Sequence, residues 1–177
     1  FSFSGASWNH VARNQASYAT WSAAGFGFAV VNGSNHNTFL ADTALCNQSY
    51  GFYVTADSNV FTSCLADSSK TDGFKNEADS NTFIGCVARH DTSGGFSLGG
   101  SAQRNHYYDN QAYGNNSCGF WIDAGTSNNH FDSNHVHANS WNGIVLNGAD
   151  RCTFVHNRVL SANGDGFILQ NGAESNV

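Results

Sequence analysis

The stretch that decides the fold is GFWIDAGTSNNHFDSNHVHANSWNG, residues 119–143. It opens on a glycine with apolar residues at every second position after it. Asn129 then precedes Phe131 by two positions, and Asn134 follows that phenylalanine by three. Its alternating runs are too short for a stable helix, and turn-forming Asn, Ser, Asp and Gly separate them. The stretch therefore predicts short β-strands joined by tight turns.

The same pattern recurs along the chain. A glycine followed by an apolar residue returns every 22–26 residues, at Gly25, Gly51, Gly73, Gly95, Gly119, Gly143 and Gly166. Between these glycines come the pairs Asn9/Val11, Asn37/Phe39, Asn59/Phe61, Asn81/Phe83, Asn105/Tyr107, Asn129/Phe131 and Cys152/Phe154. One such unit cannot bury its apolar side alone. We therefore expect the units to stack as coils of a solenoid, with parallel strands pairing from coil to coil.

This unit resembles the repeat of right-handed parallel β-helix proteins of the pectin-lyase-like superfamily, in which Gly-apolar-x-apolar is followed by Asn-x-apolar-x-x-Asn. The resemblance extends from Phe1 to Val177. It implies an all-β fold, a right-handed parallel β-helix of about seven coils with 22–26 residues per coil, as a single domain over residues 1–177. It implies no single activity, because lyases, hydrolases, epimerases and non-catalytic spikes share this solenoid.

Both ends of the chain fall within the repeat. Phe1 and Phe3 match the strand that follows each glycine, and Asn176 begins an asparagine block that Val177 cuts off. Neither end has the polar capping segment that solenoids normally need. We therefore expect a segment of a longer chain, or a unit that stacks on neighbours or on itself through its uncapped ends.

The composition excludes several classes of partner. The chain has 13 acidic against 7 basic residues, a net charge of −6 at pH 7, whereas nucleic-acid binding requires a basic stripe. No run of eighteen apolar residues is present, so no membrane span is predicted. A polyanionic substrate would require a bridging divalent cation.

In the superfamily that the repeat resembles, the chemistry usually lies on the outer face of one long parallel sheet. We place that face on the strands after the glycines, where alternate side chains point outward. The outward positions form two columns. The first reads Gly27, Tyr53, Lys75, Ser97, Trp121, Val145 and Ile168, and the second Ala29, Thr55, Glu77, Gly99, Asp123, Asn147 and Gln170.

The predicted catalytic groups on this face are Glu77, Asp123 and Lys75, as acid, base or electrostatic groups. Two coil spacings put Glu77 and Asp123 about 10 Å apart at the backbone. Inverting glycosidases hold their carboxylates roughly 6.5–9.5 Å apart, and side-chain reach can close the difference. The alternative is that these are solvated charges that prevent association of the sheet faces.

The predicted substrate-binding groups are Tyr53, Trp121, Asn147 and Ser97. Aromatic side chains such as Tyr53 and Trp121 offer flat apolar faces to sugar rings. Such a groove suits an extended polysaccharide. An elimination or epimerisation could instead use Lys75 as base and Tyr53 as acid. The catalytic motifs of polygalacturonases and of alginate epimerases are absent from the chain.

The histidines, acidic turns and cysteines favour packing and solvation over chemistry. Of the eight His, His135, His137 and His156 are close in the predicted stack, yet no metal site is predicted because zinc needs three or four convergent ligands. Asp57 and Asp79 share a turn position at which Ca²⁺ could relieve their repulsion.

Two further residues, Cys64 and Cys86, share a column and are interpreted as reduced thiols that fill space, with a disulfide as the alternative.

These observations predict a secreted or cell-surface carbohydrate-active β-helix that binds an extended polysaccharide and cleaves it by hydrolysis or elimination, without a required cofactor. The alternative is a non-catalytic solenoid, such as a glycan-binding or adhesive module or a segment of a surface fibre or phage spike. The aromatic and carboxylate residues of the predicted face favour the first interpretation, whereas the uncapped ends and the absence of known catalytic motifs favour the second.

Overall fold

The computed structural model describes residues 1–20, 25–160 and 162–177. These residues form a parallel β-solenoid whose three sheets run along its axis, one with eight strands and two with seven. The chain visits the three sheets in turn on every coil, which gives about seven coils and confirms the predicted architecture. Within the described residues no helix is long and apolar enough to cross a membrane.

Each coil contributes one short strand to each sheet. The first sheet consists of β1 (Ser2–Ser4), β4 (Phe28–Val31), β7 (Phe52–Val54), β10 (Phe74–Asn76), β13 (Phe96–Leu98), β16 (Phe120–Ile122), β19 (Ile144–Asn147) and β22 (Phe167–Gln170). The second sheet consists of β2 (His10–Ala12), β5 (Thr38–Leu40), β8 (Val60–Thr62), β11 (Thr82–Ile84), β14 (His106–Tyr108), β17 (His130–Asp132) and β20 (Thr153–Val155). The third sheet consists of β3 (Gln15–Ser17), β6 (Thr43–Leu45), β9 (Leu65–Asp67), β12 (Val87–Arg89), β15 (Gln111–Tyr113), β18 (His135–His137) and β21 (Arg158–Leu160).

Two columns of stacked aromatic rings fill the core. In the column behind the first sheet, Phe52 and Phe74 stack with their ring centroids 4.6 Å apart. In the column behind the second sheet, Phe61 and Phe83 stack at 4.8 Å. The two columns meet edge to face, as between Phe52 and Phe61 at 6.0 Å. Offset stacks and edge-to-face pairs are the favoured geometries of aromatic rings, so this packing adds to the hydrophobic gain of burial.

Columns of side-chain amides hold the turns between the sheets. Asn105 Oδ1 accepts the backbone N–H of Asn81, and Asn129 Oδ1 accepts that of Asn105. A second column runs through Asn110 and Asn134 in the same manner. Each buried turn thus finds in the next coil a partner for its backbone donor, which would be costly to leave unpaired.

The strand register corrects the predicted position of one glycine. The repeat glycine of its coil is Gly27 and not Gly25, because Phe28 pairs with Phe52 and Ala29 with Tyr53. Ala29 therefore belongs to the first outward column, in place of Gly27, and leaves the second. A Cβ on Gly27 would lie 2.6 Å from Ala44 Cβ, so no larger residue fits. The sequence was ambiguous there because Gly-Phe occurs twice in succession.

The cysteines are thiols. Cys64 and Cys86 are fully buried and free, and each Sγ lies within hydrogen-bonding distance of a core carbonyl oxygen, that of Phe39 for Cys64 and that of Phe61 for Cys86. Their burial agrees with their interpretation as space-filling side chains. They stand where other coils have Asn110 and Asn134.

Asp91 breaks the amide column at the turn that leads back to the first sheet. Its Oδ1 accepts the backbone N–H of Ser69, but its buried Oδ2 has no hydrogen-bond partner among the described residues. In the next two coils the equivalent Asn115 and Asn139 donate their amides to backbone carbonyls. Burial raises the pKa of Asp91 from 3.8 to about 8, so the carboxyl group stays protonated near neutral pH.

We predict that Asp91→Asn stabilises the protein in a pH-dependent manner. In the unfolded chain the carboxyl group ionises near pH 4, whereas in the fold it keeps its proton up to about pH 8. Its contribution to stability is therefore complete below pH 4 and is lost as the pH rises to about 8. Each unit of pKa shift corresponds to about 1.4 kcal/mol, so the variant should melt several degrees higher at pH 8.

The measurement is thermal unfolding by circular dichroism from pH 4 to pH 8. Asp109→Asn, at an exposed turn between the second and third sheets, is the matched control and should follow the parent chain. Parallel pH profiles for Asp91→Asn and the parent would refute the assignment.

Candidate functional site

The predicted site residues lie on the outer face of the first sheet. In its first outward column Lys75 pairs with Tyr53 on one side and with Ser97 on the other. Ser97 pairs in turn with Trp121, and Trp121 with Val145. The backbone ladder therefore places the predicted residues on consecutive coils, at intervals of about 4.8 Å.

Glu77 is held by two neighbours from the first outward column. The Tyr53 hydroxyl donates to Glu77 Oε2 at 3.0 Å, and Lys75 Nζ lies 3.8 Å from Glu77 Oε1. Lys75 Nζ also donates to Ser97 Oγ at 3.1 Å. These contacts join four of the predicted residues into one hydrogen-bonded cluster.

Tyr53 acts as a hydrogen-bond donor in this cluster. Burial, the hydrogen bond to Glu77 and the negative charge of Glu77 raise the pKa of Tyr53 to about 12. The phenol therefore remains protonated throughout the neutral range. It can orient Glu77, but it cannot serve as a base there.

Asp123 forms a second group with Asn147 on the next coil. Asn147 Nδ2 donates to Asp123 Oδ1 at 2.9 Å, and the backbone N–H of Ala124 donates to the same oxygen at 3.0 Å. Both hydrogen bonds go to Oδ1, and Oδ2 has no hydrogen-bond partner in the part of the chain that the structure describes. Gly99 lies between Glu77 and Asp123 in the second outward column, and the space that a side chain would take there is covered by the end of the Lys75 side chain.

A cleft of about 340 Å³ connects the two groups. It is lined by Asp72, Lys75, Ser93, Gly94, Ser97, Ser117, Trp121, Asp123 and Trp141. The lining of the cleft includes four of the seven predicted residues. Of the other three, Glu77 contacts Lys75, Asn147 contacts Asp123, and Tyr53 contacts Glu77. The structure thus brings all seven together along one strip of the surface.

One side of the cleft, formed by the turns that precede the repeat glycines, was not predicted from the sequence. Asp72, Ser93, Ser117 and Trp141 belong to the turns before the first sheet, which carry no period-two pattern. Trp141 stacks near Trp121 with ring centroids 6.3 Å apart, although it is 51 % exposed. One signal could have revealed it: a tryptophan two positions before a repeat glycine, where the four preceding coils have Ser or Thr.

A second aromatic cluster lies beyond the other end of the cleft. The Tyr53 ring lies 4.8 Å from Phe26 and 5.4 Å from Tyr50 between centroids. A larger hollow of about 730 Å³ continues from Phe26 towards Tyr18 and Phe1. Its described lining holds no carboxylate and no side-chain amine, so the reactive groups of this face are those of the smaller cleft.

Asn76, the inward-pointing residue between Lys75 and Glu77, is structural. Its Nδ2 donates to the hydroxyl of the buried Tyr107 at 3.2 Å, and its Oδ1 accepts from Asn81 Nδ2 at 3.1 Å. Its polar atoms are therefore satisfied within the core, so the break in the apolar pattern needs no ligand to explain it.

The acidic turn considered for Ca²⁺ is engaged in structural contacts. Asp57 Oδ1 accepts the backbone N–H of Asp79, and Asp79 Oδ1 accepts that of Gln103. Asp79 also pairs with Arg104 at 2.7 Å. Among the described residues no three His, Cys, Asp or Glu side chains converge as metal ligands.

Comparison with known families agrees with this architecture. The family model described as "Right handed beta helix region" matches residues 26–177. The chain belongs to the right-handed β-helix family. This match confirms the predicted handedness. A search of curated protein sequences gave no match.

Several solved structures share the fold. The A-module of the mannuronan C-5 epimerase AlgE6 from Azotobacter vinelandii superposes with a TM-score of 0.77 at 16% identity, over 98% of this chain and 51% of that one. The periplasmic alginate epimerase AlgG gives 0.75 at 18%, over 82% and 36%. Tailspike protein 2 of Escherichia coli O157:H7 bacteriophage CAB120 gives 0.58 at 11%, over 89% and 27%. The chain spans about half or less of each of these proteins, and the likeness shows the fold alone.

We predict that Gly99→Val displaces the Lys75 ammonium group from its place in the cleft without unfolding the protein. A Cβ at Gly99 would lie 3.0 Å from Lys75 Nζ, the far end of a flexible side chain that can move aside. The melting temperature should stay within about 2 °C of the parent, while affinity for a glycan in the cleft should fall at least tenfold. Gly99→Ala is the graded control and should show a smaller loss. Unchanged affinity in the valine variant would show that ligands bind elsewhere.

Proposed function

We propose that the protein is a carbohydrate-active β-helix that binds an extended polysaccharide along the outer face of the first sheet and hydrolyses it. The observation that carries the proposal is the cleft, with aromatic rings at both ends of a polar strip. Tyr53 and Trp121 are three coils apart, roughly 14 Å, and Lys75 and Ser97 lie between them. This spacing suits several sugar rings that run parallel to the solenoid axis, with apolar faces on the aromatic rings.

The two carboxyl groups on this strip, those of Asp123 and Glu77, can act as the base and the acid of glycoside hydrolysis. Asp123, whose Oδ2 has no hydrogen bond among the described residues, takes a proton from a water whose oxygen bonds to the anomeric carbon. Glu77 is ionised in the resting protein, so it takes up a proton from solvent before the reaction and then gives that proton to the departing glycosidic oxygen. Lys75, 3.8 Å away, stabilises the Glu77 carboxylate that this step restores. A water fits between carboxyl groups at the roughly 6.5–9.5 Å separation of inverting enzymes.

Elimination is less well supported by the same contacts. It requires a cation to neutralise the carboxylate of a uronic acid and a base for its α-proton. Lys75 is the basic residue that lines the cleft, and it already contacts Glu77 and Ser97. The high pKa of Tyr53 excludes a phenolate base near neutral pH.

A non-catalytic glycan-binding solenoid is the second candidate. The observation in its favour is that both carboxylates accept hydrogen bonds within the protein, Glu77 from Tyr53 and Asp123 from Asn147. In either case we propose an extracellular or periplasmic location, since polymeric glycans are found there. The names of two neighbours, a periplasmic epimerase and a phage tailspike, support this location.

The test is a depolymerisation screen of neutral, amino-sugar and uronate polymers. Reducing ends report hydrolysis, and ultraviolet absorbance of unsaturated products reports elimination. Glu77→Gln/Asp123→Asn should lower the rate at least 100-fold, because each acid or base typically contributes 10²–10⁴-fold. Asp109→Asn, far from the cleft, is the control and should keep the parental rate.

Each outcome of this screen separates the candidates. Loss of reducing-end formation in the double variant supports hydrolysis in the cleft. Unsaturated products would indicate a lyase instead. Binding without turnover would establish the non-catalytic candidate, and turnover that persists in the double variant would refute the proposed site.

A further inference from the structure

The electrostatic character of the cleft limits the glycans that it can accept. Of the seven Lys and Arg residues in the chain, Lys75 is the one among the cleft's described lining residues. Its ammonium group contacts Glu77 Oε1 and donates to Ser97 Oγ. In the resting protein this lysine is therefore already matched by a carboxylate and is not free to receive an anionic ligand.

Two further carboxylates line the cleft without a cationic partner. Asp72 Oδ1 accepts the backbone N–H of Gly94 at 2.8 Å, and Asp123 Oδ1 accepts from Asn147 and Ala124. Among the described residues no Lys, Arg or His nitrogen lies within 4.0 Å of either side chain. The negative charge of Asp72 acts on its surroundings, since burial, Asp72 and Glu77 together raise the pKa of Tyr50.

A uronate polymer fits this arrangement poorly. Each of its sugars carries a carboxylate that would face Asp72 and Asp123 in a chain whose net charge is −6. Like charges in a partly desolvated groove repel, and the repulsion is screened only by salt. A bridging divalent cation would need converging carboxylates, and no such group of three occurs in the part of the chain that the structure describes.

We propose that the cleft binds a polysaccharide of amino sugars whose amines are free, with the ammonium groups on Asp72 and Asp123 and the ring faces on Trp121 and Trp141. The inference rests on the proposed function and specifies its substrate class. Sugar rings present apolar faces to aromatic side chains and polar groups at their edges. A ring on this tryptophan pair can therefore direct an edge amine towards either carboxylate. Charge-assisted hydrogen bonds of this kind are the strong polar contacts of such a groove.

The test is isothermal titration calorimetry of the whole chain with three hexasaccharides: glucosamine, N-acetylglucosamine and galacturonic acid oligomers. At about pH 5.5 the sugar amines are charged and typical carboxylates are ionised. We expect the glucosamine oligomer to bind at least tenfold more tightly than its N-acetylated counterpart. Its affinity should fall as salt rises from about 0.02 M to 0.2 M, since the Debye length shrinks over that range.

Asp72→Asn is the diagnostic variant, because its amide oxygen can still accept the Gly94 N–H. It should weaken binding of the glucosamine oligomer five- to tenfold and leave the N-acetylated oligomer unchanged. Asp109→Asn is the matched control and should change neither affinity. A Trp121→Ala variant should weaken both amino-sugar oligomers, which would place them in the cleft.

The inference and the proposed function fail in different ways. Equal affinity for both amino-sugar oligomers, or tighter binding of the galacturonate oligomer with or without Ca²⁺, would overturn the inference. In either of these cases, if Trp121→Ala abolishes binding of the oligomers that the parent chain binds, the proposed function remains. Absence of binding by all three oligomers, and by the polymers of the depolymerisation screen, would overturn both.

Discussion

Asn105 Oδ1 accepts the backbone N–H of Asn81, and the backbone N–H of Asn105 donates to Asn129 Oδ1. These two hydrogen bonds join three successive coils at one buried turn. The side-chain amide nitrogen of Asn105 also donates to the carbonyl of Ala78, which would otherwise be buried without a partner. A shift of one residue in any coil would break this chain of bonds and turn its strand side chains to the other face. The amide columns therefore set the register, and the stacked phenylalanines and outward columns follow from it. The cleft depends on this register, because Tyr53, Lys75, Ser97 and Trp121 are neighbours only through the stacking of coils.

Much of the fold and of the outward columns could be predicted from the sequence, because the repeat period and the alternation of apolar and polar residues can both be read from it directly. Together they gave the coil number, the buried aromatic columns and the neighbours of Lys75 and Glu77. The misplaced Gly25 shows the limit of pattern alone, since Gly25-Phe26 and Gly27-Phe28 look alike. Packing decides between them: Phe28 enters the aromatic stack and Gly27 leaves no room for a Cβ. The turn residues Asp72 and Trp141 were not assigned to the site, because turns lack the period-two alternation that shows which side chains point outward. Their place depends on how each turn bends towards the sheet.

The same solenoid supports proteins with different activities, so function has to be argued from the side chains on its surface. Two epimerases of alginate polymers share the fold at low identity, yet the charges in this cleft differ from those that a polyanion requires. One lysine is paired with Glu77, while Asp72 and Asp123 have no cationic partner among the described residues. The proposal of an extended glycan without acidic groups rests on these charges and on the aromatic rings at both ends of the strip. Fold and surface chemistry thus carry separate information, and the proposed substrate rests on the second.

The measurement that tests this account most directly is denaturant unfolding, together with glycan affinity, of Asn105→Ala and Asn9→Ala. Both residues belong to one amide column, but Asn105 lies buried in the coil that supplies Ser97 and Gly99, whereas Asn9 is exposed at the end of the stack. If the column sets the register, Asn105→Ala should cost at least about 2 kcal/mol, because it leaves buried partners unsatisfied. It should also weaken glycan binding, although residue 105 does not line the cleft, while Asn9→Ala should change both by little. Equal losses in the two variants, or a destabilised Asn105→Ala that binds glycan as well as the parent, would contradict the account.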